Sequence, residues 1–465
     1  MSVVIEQHPL YTHAPIGQEL IFSISQSTIV ANNFKVKFIA EVHVSSSPIV
    51  PGAASSLVGT FKTTPNNAGV GIFNLTPVLE TFVKPDNEGS QILTGSSYKG
   101  STKKAHPIHL IDKISCSDNS IKYFQVRFMI EYATSLTGPI IPPTDPSNNN
   151  EEDSKVYTIF NGVIQPDDAL DVANNSFGYD MSHYFLNGTS RSYLSTAPTT
   201  QYARVTDYGT IPFFNYVSNS VPAVYKFTIS YYYPSGASSE IIFQTTANGG
   251  SSANTGDSNI KLMYAGLFPG NLNNWSATFD AAVTNGLTHY AIRVADVSGS
   301  VIAQDYTIQI ICPETKGYEP IRLTWLNQWG TWDYYTFQMK SINSISTRKT
   351  PYTQIAGTWN EKAYRISGYK GGKKNFRVNT TEKIKMNTDF VTEEEGVWFE
   401  QLINSTEVYV LEGYQTDATF SALNNYVQPA TITTSSYTRK TIANDRLMQY
   451  TFEIEKSKLK RTQAV

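Results

Sequence analysis

Charge is scarce in this chain: 36 Lys and Arg with 39 Asp and Glu make 16% of 465 residues, against about 25% in an ordinary soluble domain. Cysteine is scarcer still. Cys116 and Cys312 lie far apart with no CxxC pair, which excludes a disulfide scaffold and a four-cysteine zinc site. Two buried thiols are the expectation, with one long-range disulfide as the alternative. No apolar run approaches the roughly 18 residues of a membrane helix, so no membrane partner is expected. Ala, Leu, Glu and Lys are too thin for a helical bundle or coiled coil. A net charge of −3 gives no global pull toward nucleic acid or anionic lipid, and no sequence-specific nucleic-acid partner is expected.

Aromatic residues fill the gap. The 6 Trp, 29 Tyr and 23 Phe make 12% of the chain, interleaved with Ser, Thr, Asn and Gln. That is too aromatic for disorder. Flat and β-branched side chains pack well on a pleated surface, so the composition predicts a mainly β protein. At roughly 100–200 residues per domain, the length predicts two to four domains.

Periodicity divides the chain further. Along 33–44, Phe34, Val36, Phe38, Ala40, Val42 and Val44 share one face, with Lys35, Lys37, Glu41 and His43 on the other. Along 121–132, Phe124, Val126, Phe128, Ile130 and Tyr132 point inward and Gln125, Arg127 and Glu131 outward. Both are strands. A short helix is expected between them, with Thr76 as N-cap and Pro77 at the first helical position. These elements predict a β-sandwich-type domain over 1–136. Residues 137–155, rich in Pro and Asn with Glu151, Glu152 and Asp153 at the end, read as a linker or exposed loop.

Alternation returns with Tyr225, Phe227, Ile229, Tyr231 and Tyr233. Further strands are expected at 240–245, 260–264, 289–295 and 304–311, with a flexible hairpin loop around Gly249 to Ser252. A second β-sandwich domain over 156–319 follows. The last domain, 320–465, is expected to be mixed α+β. Strands at 321–327 and 333–337 flank a turn at Gly330, and Val408 to Val410 forms another. A helix over 393–403 has capping-box spacing at Thr392 and Glu395, with Val397, Phe399, Leu402 and Ile403 on its apolar side.

The chemistry-bearing residues are few. His106 and His109 are the only close pair among seven histidines, and Pro107 between them argues against a metal-binding helix face. No HExxH, Walker loop, GxGxxG or GxSxG occurs. The Gly371-Gly372-Lys373-Lys374 turn lacks the spacing and hydroxyl of a phosphate loop. Asp167, Asp168 and Asp171 read as a solvated turn, and Glu393 to Glu395 as charge at a helix N-terminus. No catalytic residue, cofactor or metal is expected, and the chain is not expected to be an enzyme.

Two features remain. Residues 361–385 hold eight basic and two acidic residues with Tyr364, Tyr369 and Phe376 interleaved. They suit either a solvated hairpin or an acidic protein partner, with nucleic acid third. Trp325 belongs in a core, whereas Trp329 and Trp332 flank a turn and are expected to be exposed, beside Tyr334. The candidate assembly interface is therefore Trp329, Trp332, Tyr334, Lys370, Lys373, Lys374 and Arg377.

Several motifs carry a resemblance. They are the run from Arg322 to Phe337 (RLTWLNQWGTWDYYTF), Ser195 to Thr200 with Asp207 to Thr210, and Asn387 to Val391 with Glu393-Glu394 and Trp398 to Ser405. Gln7-His8-Pro9, Ala14 to Gly17 and Gly69 to Phe73 belong to the same set. As short motifs scattered over all three expected domains, they resemble the large Tyr/Asn-rich virion proteins of tailed phages of Bacteroidota, including crAss-like podoviruses. The resemblance implies a structural tail, collar or ring component and carries no catalytic residue.

Met1 to Gln7 has no basic or apolar region of a secretory signal. A polar, low-charge surface without export fits release by lysis inside a virus particle. The expected function is thus a virion protein made in the host cytoplasm, a subunit of a tail or collar ring or fibre-attachment layer. Its expected partners are further copies of itself and other tail or portal proteins. The alternative is a receptor-binding or fibre-adaptor protein whose exposed aromatics bind host glycans. A polysaccharide-degrading enzyme is the second alternative.

Overall fold

The structure, a computed structural model, describes the chain apart from residues 1, 47–48, 50–56, 87–107, 109–113, 118, 165–169, 172–175, 178, 216, 219–220, 223–225, 245–260, 297, 312–317, 359–360, 367–368, 413–426, 439–447, 459 and 462–465. The protein is mainly β and multi-domain, built from several sheets, as its composition predicts. It divides into two compact units, 1–311 with 326–333 and 312–325 with 334–465. Tyr225, His106, His109, Asp167, Asp168, Cys312 and the loop at Gly249 to Ser252 lie outside the described residues.

In the first unit, the strands Phe34–Ser45 and Ile121–Ala133 pair antiparallel inside a six-stranded sheet. Their apolar alternation puts Phe38, Ala40 and Val42 beside Phe124, Val126, Phe128 and Ile130 on one buried face. A three-stranded sheet of Val4–Gln7, Ile21–Ser25 and Val70–Asn74 lays Phe22, Ile24 and Phe73 against that face. The ring centroids of Phe22 and Phe73 lie 5.4 and 5.9 Å from Phe128. Burying each such side chain contributes roughly 2–3 kcal/mol, which makes this sandwich interior the main source of local stability.

Three details differ from the periodic reading. Phe34 is exposed, because Lys35 adopts a positive φ of 52° and the register slips between Phe34 and Lys37. Gln125 and Glu131 are buried on the outward face, each tied to another segment there. Gln125 donates to the Ser154 carbonyl at 2.9 Å and Glu131 pairs with Lys62 at 2.6 Å. Thr76 is the first residue of the helix Thr76–Leu79 and not its cap. Its hydroxyl ties the 18–20 turn instead, accepting from Leu20 N at 2.8 Å and donating to Gln18 O at 3.1 Å.

The expected linker 137–155 is stitched into the sheet. Ile141 N donates to Tyr132 O at 2.7 Å, and the buried Asn148 amide donates to Ile130 O at 2.8 Å. Glu151–Asp153 then pairs with Ile121–Ala133, where Asp153 meets Arg127 at 2.9 Å. The prolines stay outside the ladder, since they have no N–H to give. The boundary at 136 dissolves for the same non-local reason. Tyr157–Phe160 joins the six-stranded sheet, and Ile114–Cys116 pairs with Lys261–Ala265.

A five-stranded sheet runs in the order Thr200–Ala203, Tyr306–Ile310, His289–Ala295, Lys226–Tyr233, Gly236–Gln244. It buries Phe227, Ile229, Tyr231, Tyr290 and Ile292. Phe227 meets Phe213 of the strand Ile211–Asn215 edge-on at 5.3 Å.

A seven-stranded sheet, in the second unit but for Leu326, Trp332 and Asp333, runs in the order Trp332–Phe337, Ile321–Leu326, Val408–Leu411, Val427–Ile432, Thr451–Lys456, Gly372–Asn387, Ile342–Gln354. The helix Glu393–Asn404 begins with the expected capping box: Thr392 Oγ1 accepts from Glu395 N at 3.3 Å, and Glu395 Oε2 accepts from Thr392 N at 2.8 Å. The helix buries Trp398, Phe399 and Leu402. Trp398 meets Trp325 at 5.0 Å, and Phe399 meets Tyr335 at 4.8 Å and Phe452 at 5.5 Å. Val397 falls outside that stripe and is exposed.

Candidate functional site

The last two strands of the seven-stranded sheet leave it as an arm. Their sequences, INSISTRKTPYTQ and GKKNFRVNTTEKIKMN, are rich in Thr, Ile, Val and aromatics that favour extended backbone, but neither outer half has an apolar face directed at a core. The outer strand Ile342–Gln354 is exposed at twelve of its thirteen positions. The inner strand Gly372–Asn387 is exposed over its first six residues and becomes buried at Ile384 and Met386.

Register explains where the arm begins. Residues Lys383 to Asn387 pair with Thr451 to Glu455, and further out a single bridge joins Thr380 to Lys460. From Asn379 to Gly372 the inner strand has the outer strand as its neighbour among the described residues. Eight residues at about 3.3 Å each project roughly 25 Å beyond the sheet. The ladder slips between Thr350 and Pro351, leaving Phe376 as the extra residue. Proline has no N–H to offer the ladder, so a bulge suits it there.

The tip closes on itself. Gly357 bridges Ile366, and the Thr358 hydroxyl accepts from Arg365 N at 3.2 Å while donating to Ala363 O at 3.1 Å. The Tyr364 ring covers Gly357 so closely that an added Cβ would sit 2.5 Å from it. Gly371 and Gly372 return the chain with φ of 98° and 78°, values that favour glycine.

An ion network fixes the root. Glu382 bonds Lys460 and lies 3.4 Å from Lys456, and Lys456 also bonds Glu412. The Lys460 hydrogen bond, helped by the Lys456 charge, holds the Glu382 carboxyl below its usual range. Burial works against the Lys456 ammonium, but Glu412 and Glu382 outweigh it and raise its pKa.

The surface of the arm is apolar and basic at once. Of the 22 large hydrophobic residues exposed among those described, eight fall within 342–376, including Ile345 at 69%, Ile366 at 76% and Tyr369 at 83% exposure. Residues 342–377 carry eight Lys and Arg against one acidic residue, Glu361. A two-stranded hairpin is marginal in water without something to pack on, and clustered exposed apolar groups mark interaction sites.

The expected interface residues divide between this arm and the interior. Lys373, Lys374 and Arg377 are exposed along the inner strand, opposite Thr353, Tyr352 and Thr350. Lys370 is half-buried and lies 5.9 Å from the Tyr369 ring centre. The exposure expected of Trp329 and Trp332 is not found: they are 1% and 0% exposed. Asn327 Oδ1 pulls the turn tight, accepting from Trp329 N at 3.0 Å and Thr331 N at 3.1 Å. The Trp329 ring then packs at 4.8 Å from Tyr184 and 5.4 Å from Tyr179, and Trp332 Nε1 donates to Asp86 O at 2.9 Å. In the second unit Tyr334 is buried beneath the Arg322 guanidinium, 5.3 Å from its ring centre. None of these three rings can stack on a ligand at the surface.

Arg348, Lys349, Ile345, Tyr352, Ile355 and Ile366 were not among the expected interface residues. The signal was the β propensity of 342–354 combined with the lack of any core-facing period. Among the described residues, no cluster of three His, Cys, Asp or Glu side chains could hold a metal ion, and no helix is long and apolar enough to cross a membrane.

No protein-family model matches the chain, and no curated protein matches it. Among solved structures it is similar to native E. coli alpha-2-macroglobulin, at 10% identity and a TM-score of 0.18, over 83% of this chain and 22% of that one. Agreement at that level carries no argument about fold or function.

Proposed function

We propose that the chain is a structural subunit of a virus particle, in the tail or collar ring of a tailed phage, acting by oligomeric assembly and not by catalysis. The observation that carries this reading is the arm. It exposes both faces, with apolar side chains concentrated toward its end, on a strand pair rooted in a well-packed sheet. Elements of that kind gain their stability from the surface they meet. The motif resemblance supports the phage tail as the setting, and the sandwich domains supply the rigid bodies that the arms would connect.

The test is a phage carrying a chain in which 346–381, the segment beyond the cross-strand pair Ile345 and Glu382, is replaced by a two-residue hairpin turn. Mass spectrometry of purified particles should find the parent protein in stoichiometric amounts, and imaging with gold-tagged copies should place it at the tail or collar. The shortened chain should fold and be missing from particles. Absence of the parent protein from particles, or normal incorporation of the shortened chain, would refute the reading.

A further inference from the structure

The near-neutral charge of the whole chain conceals a strong internal division. Residues 342–377 carry a net +7, whereas the first unit holds 16 basic and 24 acidic residues, a net −8. The rest of the second unit contributes −2. A basic, apolar-tipped arm and an acidic body on one polypeptide are complementary surfaces that separate copies can match.

We infer that the arm of one copy docks on the first unit of a second copy, in a head-to-tail contact. This rests on the assembly reading above and names its partner. Two arms side by side would set +7 against +7, which opposes a symmetric arm-to-arm dimer. Growth of sheets edge to edge through the outer strand is also blunted. Arg348, Lys349 and Pro351 stand along that edge, and charge and proline are the usual protection of a free edge. What stays available is the apolar tip, Ile355, Tyr364, Ile366 and Tyr369, flanked by Lys373 and Lys374. The 36 residues of the arm exceed the about 20–30 residues that one side of a standard interface takes, so part of the arm is enough to supply a side. Because arm and body are different surfaces, the contact repeats in one direction and closes into a ring when the rotation allows.

The experiment uses the full chain, mixed as unlabelled and 15N-labelled protein, coupled with a zero-length carboxyl–amine reagent and analysed by mass spectrometry. Mixed-isotope peptides should join Lys370, Lys373 or Lys374 to carboxylates within residues 1–311. Their yield should fall at least about tenfold in the R348E/R365E/R377E variant, which keeps the three reporter lysines, and fall again as salt screens the charges. A second variant, I366S/Y369S, should lose the product while keeping the parent melting temperature, which separates docking from folding. The inference is overturned if the purified chain sediments as a monomer with no mixed-isotope product, or if the products join arm to arm. A monomeric chain whose charge-reversed variant is nonetheless missing from particles would overturn the second copy as partner and leave the assembly reading standing. Normal particle incorporation of that variant would overturn both.

Discussion

Replacing Gly330 with alanine leaves the new methyl group nowhere to go. The residue has a φ of 71°, and an added Cβ would lie 1.5 Å from the Asn161 carbonyl oxygen. The left-handed backbone alone costs an L-residue roughly 1–2 kcal/mol. Relief of the overlap requires the 161–163 segment to retreat. That segment is held by Asn161 N donating to Ser120 O at 2.8 Å and Val163 N donating to Gln328 O at 2.6 Å. Each bond is worth about 1 kcal/mol net, and more if a buried group is left unsatisfied. The sum is about 4 kcal/mol, at the upper end for a single substitution. In a unit this large it lowers the melting temperature by roughly 8 °C. Gly299 is the control: its φ is 86° but nothing lies within 4 Å of an added Cβ. Gly299→Ala should therefore cost only the backbone share, roughly 2–4 °C. Differential scanning calorimetry of the two variants decides the matter. Melting temperatures within about 1 °C of each other would mean that the close approach at Asn161, and with it the burial of the Trp329 turn, is wrong.

Trp332→Ala should destabilise by about 3–5 kcal/mol in urea unfolding, whereas Tyr369→Ser on the arm should stay within about 0.5 kcal/mol; equal losses would contradict the division between buried turn and exposed arm. Acid should loosen the arm's root. The folded pKa of Glu382 lies below its ordinary 4.5, so its contribution is complete above that value and lost as pH falls through the folded one. Hydrogen-exchange protection at the Thr380 and Lys460 amides, which donate to each other's carbonyls at 3.1 Å, should drop in acid, and Glu382→Gln should show that drop already at neutral pH. Thr392→Ala removes half of the capping box and should cost about 1 kcal/mol, read as faster exchange in the first turn of Glu393–Asn404; unchanged exchange would show that the cap contributes nothing.

The readable parts of this fold are those whose signals are local. Thr392 and Glu395 sit three residues apart, so the cap of their helix can be seen in one line of sequence. The alternation of Phe124 to Ile130 likewise sets a strand and its inner face. What escaped depends on distant residues. Asn148 and Glu151–Asp153 look like a linker until Ile121–Ala133 offers them partners. Trp329 and Trp332 look like a platform until Tyr179, Tyr184 and Asp86 cover them, from more than a hundred positions upstream. Phe34 lost its place to a single backbone torsion at Lys35. The basic half of the arm was visible as a run of lysines, but the outer strand was not. A strand that serves no core in its own chain shows no core-facing period.

The inner arm strand is one continuous element from Gly372 at the tip to Asn387 inside the sheet. Mechanically that makes it a tendon. A pull on the tip along the strand axis reaches the pairs between Lys383 to Asn387 and Thr451 to Glu455 in shear, because antiparallel hydrogen bonds lie perpendicular to the strand. Loaded this way the rungs share the force and must fail together, where a peeling load would break them one at a time. Tension on a docked arm would thus be delivered to an interior strand of the sheet, flanked on both sides.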